Sequence, residues 1–329
     1  MDGELSVVKG ELANRMEKIK MERQLPKASI IHSNAGELIR QSSQVENNMV
    51  SVERIKEYGD SLVHEADWSL PDDPDQEEWP TQGHIKLENL EMRYRKGLPL
   101  LLKGVDLDIK PGEKVGIVGR TGSGKSSLSL SLFRINEASV GAIKIDGKNI
   151  AEIGLGTLRS ALTIIPQDPV LFSGTLRMNL DPFGKHTDRE LWNSLELAHL
   201  KNYATSLSGG LDYLISEGGS NLSVGQRQLL CLARACLRKT KILFLDEATA
   251  AVDFLTDDLI QATLQNEFQC STIMTIAHRI NTIMNSDKVV VMEDGNVLEF
   301  DSPKNLCMKK DSMFYSMAKK AGLTTFGKL

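Results

Sequence analysis

The amino-acid sequence predicts an α/β protein whose core is a mostly parallel β-sheet with helices on both faces. Short apolar runs at residues 115–118, 241–246, 272–276 and 289–292 alternate with segments of helical character. Apolar strands separated by helices are typical of parallel sheets that are covered on both sides. A glycine-rich turn directly follows the first of these runs, which is a second feature common in this fold class.

A second group of strands precedes the parallel core. Residues 85–89 and 105–109 alternate apolar and polar side chains, as half-buried strands do. Pro111-Gly112 and Asp146-Gly147 predict tight turns between strands, and Asp294-Gly295 predicts a hairpin turn. We therefore expect a β-rich lobe with antiparallel strands beside the parallel sheet.

The chain divides into three regions, 1–60, 61–83 and 84–329. The first is charged and helix-prone, and its apolar residues recur at steps that predict one amphipathic helix, namely Leu38, Val45, Met49, Val52 and Ile55. The second is acidic and interrupted by prolines, which favours a linker over an acidic helix face. The third has the pattern of a globular domain.

Composition sets limits on the class of protein. The chain has 329 residues, 41% hydrophobic and 25% charged, which is ordinary for globular proteins. A net charge of −5 gives no reason to expect a nucleic-acid partner. No signal-peptide pattern opens the chain, and no apolar run approaches the roughly 18 residues of a membrane span. We expect the isolated chain to be soluble, with no membrane span of its own.

Four cysteines are scattered at Cys231, Cys236, Cys270 and Cys307. The first two lie five residues apart in a helical segment, which turns their side chains about 140° away from each other. That geometry disfavours a shared metal ion or a local disulfide. We expect buried, reduced thiols instead.

Residues 119–127 fit the phosphate-binding pattern Gly-x-x-x-x-Gly-Lys-Ser. Glycines let backbone amides curl around a phosphate, the lysine reaches the β- and γ-phosphates, and the serine hydroxyl ligates Mg²⁺. The alternative is a glycine- and serine-rich turn without a ligand. We expect a nucleoside-triphosphate site whose contacts are Gly119, Thr121, Gly122, Ser123, Gly124, Lys125, Ser126 and Ser127.

Two adjacent carboxylates, Asp246 and Glu247, end another apolar run. Beside a phosphate loop, the first would hold the Mg²⁺ shell and the second would orient or deprotonate the attacking water. Adjacent acids after a strand are also common on protein surfaces. The phosphate loop in the same chain is what favours the catalytic interpretation.

A third motif covers residues 221–228 and leads into a helix. Ser223 is a good N-cap, which is its structural interpretation. In the functional interpretation, the helix start presents Ser223 and backbone amides to a phosphate. A γ-phosphate enclosed by its own loop has little room for this second helix end, so the motif indicates a second cassette facing the first head to tail.

With these motifs in this order, residues 45–322 resemble the ATP-binding cassette of ABC transporters. The resemblance is greatest to the second, C-terminal cassette of the C subfamily, the multidrug-resistance-associated proteins, and segments 45–54, 172–182 and 275–279 share in it. It implies a P-loop NTPase core with an antiparallel β lobe and a helical subdomain. It also implies ATP and Mg²⁺ as ligands.

The resemblance assigns roles to four further residues. Tyr94 would stack on adenine, and Gln167 would contact Mg²⁺ and move with the membrane domain. Asp253 would link the two nucleotide sites, and His278 would contact the γ-phosphate. Without the resemblance, Tyr94 reads as an ordinary strand tyrosine and His278 as a structural histidine.

One position departs from the usual family signature Leu-Ser-Gly-Gly-Gln, because Val224 replaces its first glycine. By resemblance, Ser223, Gly225 and Gln226 would face the nucleotide of the opposing cassette, in a site that hydrolyses ATP poorly. Glu247 would belong to the competent site. The chain would thus contribute to two unequal sites.

The resemblance also implies a function and partners. We expect a cassette that hydrolyses ATP to drive export of amphipathic organic anions or conjugates, with a second cassette and transmembrane domains as partners. It would act at the cytoplasmic face of a membrane, the plasma membrane in our expectation. A nucleotide-sensing channel subunit and a soluble non-transport ATPase are the alternatives. Residues 1–34 match no pattern that we recognise.

Overall fold

The chain forms two structural units, residues 1–65 and 66–329. In the computed structural model the described residues are 2–62, 64–75, 78–246, 253–277 and 280–323. The first unit holds one helix, α1 (Asp2–Ser61), and the apolar side chains predicted to share a face are all exposed there. No helix within the described ranges is long and apolar enough to span a membrane.

The second unit carries the remaining elements. Its described strands are β1 (Ile85–Met92), β2 (Leu102–Ile109), β3 (Lys114–Gly119), β4 (Val140–Ile145), β5 (Lys148–Asn149), β6 (Leu162–Ile165), β7 (Gly174–Thr175), β8 (Leu214–Ile215), β9 (Ile242–Asp246), β10 (Thr272–Ile276), β11 (Lys288–Glu293) and β12 (Asn296–Asp301). Its described helices are α2 (Lys125–Leu132), α3 (Leu155–Ala161), α4 (Leu176–Leu180), α5 (Asp188–Leu197), α6 (Lys201–Ser206), α7 (Val224–Arg238), α8 (Phe254–Glu267), α9 (Ile280–Ile283), α10 (Pro303–Met308) and α11 (Met313–Lys320).

A six-stranded sheet forms the core, in the order β12-β11-β3-β10-β9-β6. Strands β11, β3, β10, β9 and β6 are parallel, and β12 returns antiparallel to β11 through the predicted Asp294-Gly295 turn. The buried strands β9, β10 and β11 correspond to apolar runs in the sequence. The predicted α/β class with a mostly parallel sheet is confirmed.

An antiparallel sheet in the order β2-β1-β4-β5 makes the β lobe. The turn between β4 and β5 is at Asp146-Gly147, where both residues have positive φ, 47° and 81°. Alternate side chains of β1 and β2 are buried in the cluster that also contains Val115 and Phe244 of the parallel sheet. One continuous core therefore joins the two sheets.

Helices α4 to α8 form the helical subdomain, whose core is rich in leucine. Leu195 of α5, Leu232 of α7 and Leu243 of β9 are fully buried in one cluster. All four cysteines fall within the described residues and are free thiols. Cys231 and Cys236 are buried, as predicted, whereas Cys307 is half-buried and Cys270 is exposed. Burial raises the pKa of the Cys236 thiol to about 12, so this group stays protonated at neutral pH.

The acidic segment predicted as a linker makes specific contacts with the cassette. The Asp73 carboxylate accepts hydrogen bonds from the Gly154 amide (2.6 Å) and the Thr157 hydroxyl (3.1 Å) at the start of α3. The next two amides of α3 donate to the carbonyls of Asp67 (3.0 Å) and Trp68 (2.8 Å). Helix α3 has no cap from its own N-cap residue, so this segment caps it from a distance.

Glycine permits this approach of the two backbones. A Cβ atom on Gly154 would lie 2.5 Å from the Asp73 carboxylate, and one on Gly156 would lie 2.5 Å from the Trp68 indole nitrogen. Further along the same segment, the buried Trp79 indole donates to the Ile145 carbonyl at 3.3 Å. The structural boundary thus falls after residue 65, and the prolines that suggested a linker lie in a segment bound to the cassette.

Asp73→Ala should lower the free energy of unfolding by about 1 kcal/mol at neutral pH, because the Gly154 amide and the Thr157 hydroxyl at the start of α3 lose their acceptor. Partial burial alone would raise the pKa of Asp73, but hydrogen bonds from Gly154 and Leu70 outweigh it and hold the pKa below the usual value of an aspartate. The stabilisation is therefore complete above that value and is lost as the pH falls through the lowered pKa. Urea unfolding at neutral and acid pH measures both effects.

The matched control is Asp72→Ala, which removes an exposed neighbouring carboxylate. Equal stability of wild type and Asp73→Ala at neutral pH would contradict the capping role.

Candidate nucleotide site

The carboxyl edge of the parallel sheet gathers residues that are far apart in sequence. Gly119 at the end of β3 pairs with Met292 in β11, and Ile276 at the end of β10 pairs with Asp246 in β9. Strand β6 lies next to β9 and is followed by residues 166–172, called here the Gln167 loop. Because parallel strands end at the same edge, the phosphate loop, Asp246 and the Gln167 loop meet there.

Lys125 supports the phosphate loop from within. It is the first residue of α2 and is 7% exposed, and its ammonium donates to the carbonyls of Gly119 (2.9 Å) and Arg120 (3.1 Å). The loop therefore closes around the stem of its own lysine. Charge-assisted bonds of this kind are stronger than neutral ones, so they hold the loop backbone in place around the lysine.

Three observations indicate that the loop can bind a phosphate. The buried Ser123 hydroxyl finds no hydrogen-bond partner among the described residues, although buried polar atoms are nearly always paired. A Cβ atom on Gly119 would collide with the Met292 carbonyl and lie 2.5 Å from that hydroxyl. Gly122 has φ +83° and open space where a side chain would begin. The glycines thus keep a concave backbone clear, as an anion cradle requires.

Other predicted contacts lie on the same loop and helix. Gly124 precedes α2 with φ +101°, a conformation that favours glycine. Thr121 and Ser126 are exposed, whereas Ser127 is buried at 5% exposure. The exposed Ser126 hydroxyl is therefore accessible to a metal–phosphate complex, and Ser127 packs into the core.

The predicted Mg²⁺ ligands are hydroxyl, carboxylate and amide oxygens on Ser126, Asp246 and Gln167. Asp246 is half-buried and Gln167 is exposed. In the part of the chain that the structure describes, no three His, Cys, Asp or Glu side chains converge as a metal cage. A Mg²⁺ ion bound with substrate phosphates needs only one or two protein carboxylates, so this donor set fits it.

Tyr94 lies just beyond the end of β1 rather than within a strand, and its side chain is 50% exposed. The interpretation of this residue as an ordinary strand tyrosine is therefore wrong. An exposed ring at the edge of the β lobe is available for stacking on a base.

Ser223 is the N-cap of α7, as the sequence predicts. Its hydroxyl accepts from the Gln226 amide at 3.2 Å, and the Gln226 side chain accepts from the Ser223 amide at 2.9 Å, which completes a capping box. Gly225 packs closely, since a Cβ there would lie 3.1 Å from the Thr256 hydroxyl. Val224 is 38% exposed.

Asp253 caps the neighbouring helix α8. Its carboxylate accepts from the Thr256 hydroxyl at 2.8 Å and from the Thr256 amide at 3.1 Å. These bonds, the hydroxyl first, lower the pKa of Asp253. A Cβ on Gly225 would lie 3.7 Å from this carboxylate, so the structure brings Asp253 to the start of α7.

Glu247 and His278 lie outside the described residues, and their assignments remain predictions. Sequence reasoning missed Gln228 and Arg234 on α7, whose side chains bind backbone carbonyls near Gln167. The signal for Gln228 was available, because it is a polar residue among leucines on an otherwise apolar helix face.

The fold and the loop define a nucleoside-triphosphate-binding protein of the α/β class. Residues 102–250 match the family model described as ABC transporter. The mouse protein ATP-binding cassette sub-family C member 3 is 57% identical over 286 residues, which are 87% of this chain and 19% of that protein. For the human sub-family C member 2 the values are 56%, 87% and 18%.

A solved structure of a bacterial Atm1-family ABC exporter with ATP bound superposes with a TM-score of 0.76 at 29% identity, over 84% of this chain and 48% of that one. The chain therefore carries an ATP-binding cassette of the ABC transporter family, of the C-subfamily type. It spans about a fifth of the length of the curated relatives that it matches, 19% and 18% for the two described above.

Lys125→Ala should weaken ATP binding roughly 10- to 100-fold, because it removes a charge-assisted contact and the two bonds that hold the loop. Equilibrium titration with a fluorescent ATP analogue measures the effect. Lys148→Ala, at an exposed position in β5, is the matched control and should bind like wild type. Normal affinity in Lys125→Ala would show that the loop does not bind phosphate through this lysine.

Proposed function

We propose that this chain is the ATP-binding and ATP-hydrolysing cassette of a C-subfamily exporter and corresponds to the second cassette of such a protein. The observation that carries the proposal is the carboxyl edge of the sheet. There the glycine cradle, whose buried Ser123 hydroxyl has no hydrogen-bond partner in the described part of the chain, lies at the same edge as Asp246 and the Gln167 loop. Anion binding and metal ligands at one edge are what a triphosphatase needs.

Different residues of the chain bind the nucleotide, hold the metal ion and activate the attacking water. Lys125 and the loop amides bind the β- and γ-phosphates, and the exposed Tyr94 ring stacks on adenine. Ser126, Asp246 and Gln167 hold Mg²⁺, which neutralises phosphate charge when it is bound. Glu247 orients the attacking water and accepts its proton, and His278 contacts the γ-phosphate.

A second cassette completes each site. The capped start of α7 has Ser223 exposed and carries the partial positive charge of a helix N-terminus, which favours a phosphate of an opposing nucleotide. Gly225 and Gln226 would approach that nucleotide with it, and Asp253 would connect the two sites. Val224 adds a β-branched side chain to this surface, which supports a signature that serves the weaker of two unequal sites.

Transport itself requires transmembrane domains as partners. Gln167 lies in an exposed loop, which suits a contact that relays nucleotide binding to such a domain. The C-subfamily type supports amphipathic organic anions or their conjugates as cargo, and it supports a position at the cytoplasmic face of a membrane.

Glu247→Gln should keep ATP binding and reduce turnover by roughly 100-fold or more, because the water loses its base. In wild type, the specific ATPase activity should rise with protein concentration as cassettes pair. Steady-state phosphate release over a concentration series measures both. Glu267→Gln, at an exposed position near the end of α8, is the matched control. Turnover that survives unchanged in Glu247→Gln would refute the assignment of the base.

A further inference from the structure

The Gln167 loop, residues 166–172, is held by side chains from another element. Two of its residues are prolines, which donate no backbone hydrogen bond. The Gln228 amide group donates to the Pro166 carbonyl at 3.2 Å and to the Gln167 carbonyl at 2.8 Å. Gln228 lies on α7, the helix that begins at Ser223.

A second point of attachment lies further along α7. The Arg234 guanidinium donates to the Val170 carbonyl at 2.8 Å and to the side-chain oxygen of Asn179 at 3.0 Å. Asn179 in turn accepts from the Phe172 amide at 3.0 Å and donates to the Phe172 carbonyl at 2.9 Å. The loop is thus bound along its length, directly and indirectly, by polar side chains of α7.

Close packing between the loop and the segment that precedes α7 adds to these hydrogen bonds. A Cβ atom on Gly219 would lie 2.6 Å from the Leu171 side chain, so the loop leucine rests against the backbone just ahead of α7. Leu171 is 3% exposed. Backbone and side-chain contacts therefore join the Gln167 loop to the segment that leads into Ser223.

The surroundings of the Gln228 side chain indicate that its contribution comes from the NH₂ group, which donates hydrogen bonds. The residue is 1% exposed, and its amide oxygen has no hydrogen-bond partner among the described residues. A leucine or methionine would fill the same space without burying an unpaired oxygen. What the glutamine adds is the pair of bonds to successive carbonyls at Pro166 and Gln167.

We propose that Gln228 is a positioning residue that locks the Gln167 loop to α7, so that nucleotide binding at Gln167 and the placement of Ser223 change together. The inference deepens the proposed function and rests on it. Through this lock, a cassette that has bound its own Mg·ATP presents its α7 N-terminus to the opposing nucleotide in one defined orientation.

Hydrogen–deuterium exchange on the full chain tests the lock at a concentration where the chain is monomeric. In wild type, Mg²⁺ with a non-hydrolysable ATP analogue should slow exchange in peptides from three segments, 119–127, 166–172 and 219–227. Gln228→Met keeps the side-chain length but donates no hydrogen bond. It should retain protection at 119–127 and lose at least about two-thirds of the nucleotide-dependent change at 219–227.

Thr263→Val is the matched control. This substitution removes a different buried hydrogen bond of the helical subdomain, from the Thr263 hydroxyl to the Leu197 carbonyl at 3.1 Å. It does not affect the contacts of the Gln167 loop. It should keep the full response in all three segments. Full response at 219–227 in Gln228→Met as well would overturn the proposal.

Gln228→Glu gives a second test should Gln228→Met fail to fold. The neutral acid can donate one hydrogen bond and the carboxylate none, so the response at 219–227, relative to wild type at each pH, should recover on acidification. A response that is independent of pH would overturn the proposal. Wild type without nucleotide-dependent protection at 119–127 would refute the proposed function and this inference with it. Protection there with no coupling at 219–227 would refute the inference alone.

Discussion

The site depends on the parallel register of the central sheet. Ile117 of β3 and Asp246 of β9 both pair with Ile276 of β10, so β9 and β10 end level with each other and β3 continues two residues further, to Gly119. A residue one or two positions after any of these strands therefore lies at the same edge of the sheet. The phosphate loop, the half-buried Asp246 and the Gln167 loop share a site because β3, β9 and β6 run parallel in one sheet, with β10 between β3 and β9, and not because their sequences are close.

Hydrogen bonds from side chains to backbone carbonyls hold the two loops at that edge. The Lys125 ammonium bonds two carbonyls of its own loop, and Gln228 bonds two carbonyls of the Gln167 loop. In both places a buried polar side chain fixes a segment that has no regular secondary structure of its own. Loops near a ligand need this support, since irregular backbone otherwise retains many conformations and loses entropy when the ligand binds.

The sequence predicts what local patterns encode. Apolar runs located the strands, paired turn residues located the hairpins, and Ser223 before a leucine-rich helix located the start of α7. It could not predict the role of Asp73, because this residue caps α3 from 81 positions away and no local pattern records the partner. Prolines and acids around Asp73 resemble a linker in sequence, yet the carbonyls of Asp67 and Trp68 just ahead of them accept hydrogen bonds from the first amides of α3.

Val224, the residue that departs from the family signature, differs from Gly225 in what the fold demands of it. Gly225 packs against Thr256 in its own chain, whereas Val224 is 38% exposed at the first turn of α7. A valine at an exposed helical position costs only a few tenths of a kcal/mol in folding relative to better helix formers. The fold therefore leaves little room for a side chain at the second glycine of the signature and tolerates replacement of the first. Any effect of the valine on activity must act through whatever docks on this surface, which ties its consequences to a partner and not to the stability of the cassette.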